Sequence, residues 1–238
     1  MIKYGLLRLM FYKPEIKKKL IIHRNYIDKM EEMVNLEVAE MERLHEESPP
    51  DAYDYETDEL VKFRKKEWYE LKHFFPTIQS KSEIITSYAL FEFELNKICE
   101  IYESCISHTV KIKDLKSNGF IDGSKRYLEK IVGAKFPVDG EYWIQIQRIQ
   151  EIRNLLVHAD GAVNTGNKGL MGYIKGSDYL NIDGNGKISI KPGYSSHIIT
   201  VMIGFFEELF LSLEDTNITR YVEENQRKQS DFMDTSAK

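Results

Sequence analysis

Along this chain large apolar residues return every three or four positions in four long stretches, the period of helices that bury one face. From Glu15 to Glu47 the apolar positions Leu20, Ile27, Met30, Val34, Val38, Met41 and Leu44 keep three-, four- and seven-residue spacing. That stripe is narrow and suits packing along another helix, and Pro14 stands where a first helical turn would start. From Thr77 to Ser107, Ile84, Ile85, Tyr88, Phe91, Leu95, Ile98, Ile101 and Tyr102 mark a helix with enough large side chains to be central to the core. The stretch Ile144 to Gly161 repeats the pattern with Ile149, Ile152, Leu155, Leu156 and Ala159; Asp139 is a favourable charge near its start and Gly161 its stop. The last helix, Ile198 to Leu213, is capped by Ser195 or Ser196 and has an apolar face wide enough for a core and a subunit interface together.

Shorter elements lie between these. A helix from Glu59 to Phe75, capped by Thr57 or Asp58 and ended by Pro76, carries Arg64-Lys65-Lys66 as a solvated basic face. Ser48 to Asp58, acidic and with two prolines, is the linker candidate. Lys111 to Gly123 is punctuated as a loop, followed by a helix around Ser124 to Val132. After Gly161, Met171 to Ile174, Tyr179 to Ile182 and Lys187 to Ile190 are predicted as short strands, with Asp183-Gly184-Asn185-Gly186 as a hairpin turn. The turn imitates a calcium loop, but Pro192 occupies the place of the bidentate Glu, so calcium binding is rejected. The tail from Glu223 is polar and is predicted to be disordered. These elements predict an all-α, up-and-down helical bundle with a small β-hairpin inserted before the last helix. Its parts are an N-terminal helical region (1–76), a helical domain (77–222) and a tail (223–238).

Composition narrows the function. With 42% hydrophobic and 30% charged residues in 238, the chain can build a substantial core. A net charge of -5 argues against coating nucleic acid with a broad basic surface, while leaving room for a local phosphate site. Cys99 and Cys105 would point about 240° apart on a helix, which disfavours a disulfide and suits the cytoplasm. Met1 to Tyr12 is interrupted by Lys3 and Arg8 and lacks a cleavage site, and no apolar run reaches membrane-span length. No phosphate loop, His-Glu-x-x-His, Cys-x-x-Cys or Gly-x-Ser-x-Gly occurs. His23, His45, His73, His108 and His197 have no partner spacing and are taken as neutral.

Chemistry concentrates in the third long stretch. At about 100° per residue, Arg153, Val157, Asn154 and His158 span an arc of roughly 140° opposite the apolar stripe. Arg, Asn and His around an outward Val make an unusual solvent face, since these polar groups handle phosphates and protons. A second surface is expected to cover it. Glu92 and Glu94 are candidates to pair with Arg153, although helix carboxylates more often stabilise only their own helix.

At these residues the chain resembles the HEPN superfamily (higher eukaryotes and prokaryotes nucleotide-binding domain). Its signature is an Arg followed by a polar residue, with four to six residues before a His near a helix end. Arg153-Asn154-Leu155-Leu156-Val157-His158 fits, with Asn154 as the polar residue. The segment Tyr88 to Cys99 is similar to the helix beside the motif helix in such domains, and the resemblance covers about residues 77–217. It implies a metal-independent endoribonuclease with no cofactor and with Arg153, His158 and Asn154 as catalytic residues. It also implies an RNA substrate, a homodimer, and a toxin or anti-phage role under an antitoxin or other regulatory protein; neither DNA nor membrane is expected as a partner. The alternative is a non-catalytic HEPN-like interaction module that dimerises or binds a partner protein or nucleotide.

Overall fold

The structure, a computed structural model, describes the backbone of residues 2–47, 57–105 and 110–236 and side chains within 7–44, 63, 66–105 and 110–218. The elements are α1 (Ile2–Glu47), α2 (Thr57–His73), α3 (Phe75–Cys105), a 3-10 turn (Ile112–Asp114), α4 (Phe120–Tyr127) leading into a π-helical turn (Leu128–Val132), α5 (Glu141–His158), α6 (Lys168–Gly176), β1 (Leu180–Ile182), β2 (Ile188–Ile190) and α7 (Tyr194–Ser236). This is the all-α bundle with a small hairpin before the last helix that the apolar periodicity predicts. β1 and β2 are antiparallel, with Leu180 opposite Ile190 and Ile182 opposite Ile188. Asp183 fastens their turn, its Oδ1 accepting from the backbone N–H groups of Asn185 at 2.9 Å and Lys187 at 2.8 Å.

Several helix boundaries depart from the local signals. α1 begins at Ile2 and continues through Pro14 instead of starting there. Proline removes one helical hydrogen bond, but Leu9, Tyr12 and Ile16 on either side are buried, and their packing holds the helix across it. Pro76 opens α3 instead of ending α2, as a residue without an N–H can in a first turn. Met171 to Ile174 is helical, within α6, because Asn167 caps the segment by accepting from the N–H of Leu170 at 3.1 Å. The tail from Glu223 is helical as far as Ser236; no Gly or Pro follows Gly204 in α7 to stop it. The stretch Tyr194–Ile218 of α7 is long and apolar enough to cross a membrane by length and composition, with a mean hydropathy of 1.5 in an 18-residue window, yet 56% of that window is buried within the protein. Of the linker candidate, residues 48–56 lie outside the described residues, whereas Thr57 and Asp58 begin α2; the side chains of Arg64, Lys65 and His45 and the whole of His108 also lie outside.

Two compact units divide the chain, each made of segments distant in sequence. The first comprises residues 1–20, 89–147 and 200–238. Its centre is aromatic: Phe91 lies 5.2 Å from both Phe205 and Phe206, and Phe136 lies 5.0 Å from Trp143, in edge-on or tilted pairs. Gly204 lets α7 approach Tyr142, whose ring would collide with any Cβ there. Glu94 is fully buried in this unit; its carboxylate accepts from Tyr12 Oη at 2.5 Å and from Lys19 Nζ at 3.1 Å. A buried carboxylate is tolerated when it is paired in this way, and these bonds make Glu94 a fold residue instead of a partner for Arg153.

The second unit comprises residues 21–88 and 148–199, with Ile27, Ile84, Tyr88, Ile152, Tyr194 and Ile198 in its core. The α1 stripe is buried at Ile27 and thins to half-buried at Met30, Val34, Val38 and Met41. The start of α7 is not capped by Ser195 or Ser196: the N–H of Gly193 donates to both carboxylate oxygens of Glu31 at 3.1 Å, and Ser196 donates to Asp28. Carboxylates from α1 therefore complement the positive end of α7, a charge placement no local cap signal reveals. His23 and His197 are structural here, the first 3.0 Å from Ser87 Oγ and the second stacked 5.4 Å from Tyr179; burial lowers the pKa of both.

Glu83, also buried, accepts from Gln79 Nε2 at 2.8 Å. Burial raises its pKa, and the charges of Glu31 and Asp28 push in the same direction. A carboxyl whose folded pKa is raised contributes stability below its unfolded pKa and loses it as pH rises through the folded value. Glu83→Gln is therefore expected to melt above wild type at pH 8, with the gap closing as pH falls towards 4.5. Calorimetric melting across that range checks the sign; a gap that widens on acidification contradicts it.

Candidate functional site

α5 presents two different faces because its apolar residues fall on one side. Trp143, Ile146, Ile149, Ile152 and Leu156 are buried, whereas Asn154, Val157 and His158 are exposed, Val157 to 43%. Ala159, predicted as the end of the buried stripe, is exposed, because α5 stops at His158 and the chain turns away. Before the motif, Arg148 Nη1 donates to both oxygens of Glu151 at 2.8 and 3.0 Å and its guanidinium lies against Gly169 of α6.

Arg153 does not extend freely into solvent. It is half-buried, with its guanidinium carbon 5.7 Å from the centroid of the Tyr88 ring, in cation–π range. Nη1 donates to Asn154 Oδ1 at 3.0 Å, while Nε is buried with no hydrogen-bond partner among the described residues. Asn154 thus holds Arg153. The guanidinium is pre-oriented from below by an aromatic face and from the side by an amide, leaving donors for an anion.

Two residues beyond His158 the helix ends in a fixed turn. The Leu155 carbonyl accepts from the N–H groups of Ala159 at 3.0 Å and Gly161 at 2.9 Å. Asp160 and Gly161 take left-handed φ values of 47° and 81°. Glycine adopts such a φ without strain, and a Cβ at Gly161 would press on Ile188 Cγ2 at 3.4 Å. The Gly161 carbonyl accepts from Ile188 N at 2.9 Å and Val163 N donates to Gly186 O at 3.0 Å, so the turn is bonded to the hairpin. Lys81 of α3 donates to Asp160 Oδ1 at 2.8 Å and Lys187 to Oδ2 at 2.5 Å. These two ammonium groups, Lys187 foremost, hold the Asp160 carboxyl down at about 2.

The structure therefore gathers Arg153, Asn154 and His158 on one exposed helix face and adds Tyr88, Lys81, Lys187 and Asp160, which the motif did not indicate. Gly161 was legible as the helix stop; Asp160 and the two lysines, 79 and 27 positions from it, carried no signal. Among the described residues no group of three or more His, Cys, Asp or Glu side chains is placed to hold a metal ion. Cys99 and Cys105 are free and buried. Comparison with protein-family models, curated proteins and solved structures finds no match to this chain.

The burial differences predict a graded response to truncation, read by urea unfolding. His158→Ala should stay within about 0.5 to 1 kcal/mol of wild type, as an exposed residue does. Arg153→Ala should lose about 1 to 2 kcal/mol through the contact with Tyr88, and Leu156→Ala about 2 to 5 kcal/mol through the cavity it leaves.

Proposed function

We propose that this protein is a HEPN-like, metal-independent endoribonuclease acting as a homodimer. The observation that carries this reading is the half-buried Arg153, fixed by Tyr88 and Asn154 while His158 stands exposed about one turn on. Arg153 neutralises the scissile phosphate and stabilises the charge that grows on its oxygens. The ribose 2'-hydroxyl attacks phosphorus, its proton passing to one imidazole; the bond to the 5'-oxygen breaks and that oxygen takes a proton from a second. The products are a 2',3'-cyclic phosphate and a 5'-hydroxyl. Histidine suits both roles because it changes protonation state near neutral pH.

One chain offers one His158, and two-fold pairing around the exposed Val157 supplies the second. An enzyme of this kind cutting transfer or messenger RNA in the cytoplasm fits a toxin or anti-phage effector restrained by an antitoxin or other regulatory protein.

Incubation of the purified protein with total RNA tests the activity. Cleavage is expected to persist in excess chelator and to leave cyclic phosphate ends, and His158→Ala to fall by on the order of a hundredfold or more while remaining folded. Chelation that abolishes cleavage, with magnesium restoring it, contradicts the mechanism. A folded His158→Ala that cleaves like wild type favours the non-catalytic interaction module.

Association supplies a separate check. Val157→Asp puts a charge in the middle of the pairing face and is expected to shift sedimentation towards monomer and reduce cleavage in parallel. An active wild-type monomer overturns the dimer.

A further inference from the structure

Beside the motif, two ammonium groups from elements distant in sequence, α3 and β2, converge on a single exposed carboxylate. Lys81, Lys187 and Asp160 line a cavity of about 140 Å³ that the hydroxyl-bearing Thr77 and Ser189 also line. Asp160 follows His158 by two residues, so their Cα atoms are at most about 7.6 Å apart. The carboxylate stands on a residue at φ 47°, a conformation an Asp tolerates but does not favour.

We infer that Lys81 and Lys187 form a seat for a second phosphate of the RNA strand, next to the one held by Arg153, and that Asp160 fills this seat in the free protein. The inference rests on the ribonuclease reading of the motif face. Asp183 lines the cavity as well, so with Asp160 in place two cations face two carboxylates; displacing Asp160 leaves one net positive charge, and a backbone phosphodiester is the same size of charge with more acceptor oxygens. RNA would displace Asp160, whose side chain is 68% exposed and free to swing into solvent. Asp183 lines the same cavity, its carboxylate fixed by the N–H groups of Asn185 and Lys187. That fixed negative charge selects a monoanionic phosphodiester over a free phosphate dianion.

The test titrates a labelled 2'-O-methyl oligoribonucleotide, which keeps the backbone charge but lacks the attacking hydroxyl, into the full chain at several salt concentrations. Lys81→Ala and Lys187→Ala should each weaken binding and lower the slope of log affinity against log salt by about 0.7. Asp160→Asn should tighten binding by about two- to fivefold, the size of an exposed ion pair that no longer has to be broken. Asp160→Gly, which adopts the left-handed φ without strain, should do the same and serves if Asp160→Asn does not fold. Inorganic phosphate should compete no better than chloride at equal ionic strength. Asp160 variants that bind as wild type or more weakly overturn the inference, as do unchanged slopes in the lysine variants, competition by inorganic phosphate, or no binding at all. Cleavage of unmodified RNA by wild type is read separately: cleavage without the Asp160 effect overturns the seat alone, and absence of cleavage overturns the ribonuclease reading.

Discussion

The left-handed turn at Asp160 and Gly161 is the constraint on which the motif face depends. A helix end has carbonyls without partners, and here Leu155 O takes two donors while Gly161 O takes Ile188 N from β2. Lys81 and Lys187 then clamp Asp160 from α3 and the hairpin. His158 is the last helical residue before this turn, so its backbone adjoins a turn bonded to α5 and β2 although its side chain is exposed.

Arg153 shows a related economy of means. A guanidinium left in solvent samples many rotamers and loses that freedom on binding an anion. Packing over Tyr88 and bonding to Asn154 removes much of that freedom during folding. The same burial leaves Nε without a partner among the described residues, a cost set against that gain.

Buried acids divide the two units by their treatment of charge. Glu94 in the first is matched by Tyr12 and Lys19, and burial with this carboxylate raises the Tyr12 pKa well above its ordinary value. Glu83 in the second has no cation among the groups that act on it, and burial together with the charges of Glu31 and Asp28 raises its pKa against the donors Gln79 and Ser195. Cys99, buried at the end of the same helix, has its thiol pushed up to about 12 by burial and is inert as a nucleophile for that reason.

Sequence by itself determined the central parts of the long helices, the hairpin and the sidedness of α5, because periodicity and turn chemistry are local: the 3.6-residue period put Ile152 and Leu156 inside and Val157 and His158 outside, and Asp183 to Gly186 fixed the turn. Tertiary structure decided where helices begin and end and what each charged group meets. Pro14 lies within α1 because Leu9 and Ile16 are packed around it, α7 begins one residue before Ser195 because Glu31 reaches Gly193, and Met171 to Ile174 coils because Asn167 caps it. Glu94 turned to Tyr12 and Lys19, and Asp160 found Lys81 and Lys187. No period in the chain encodes such pairings, since a charge is satisfied by whichever group the folded chain brings within about 3 Å, and that proximity exists only once distant segments have packed.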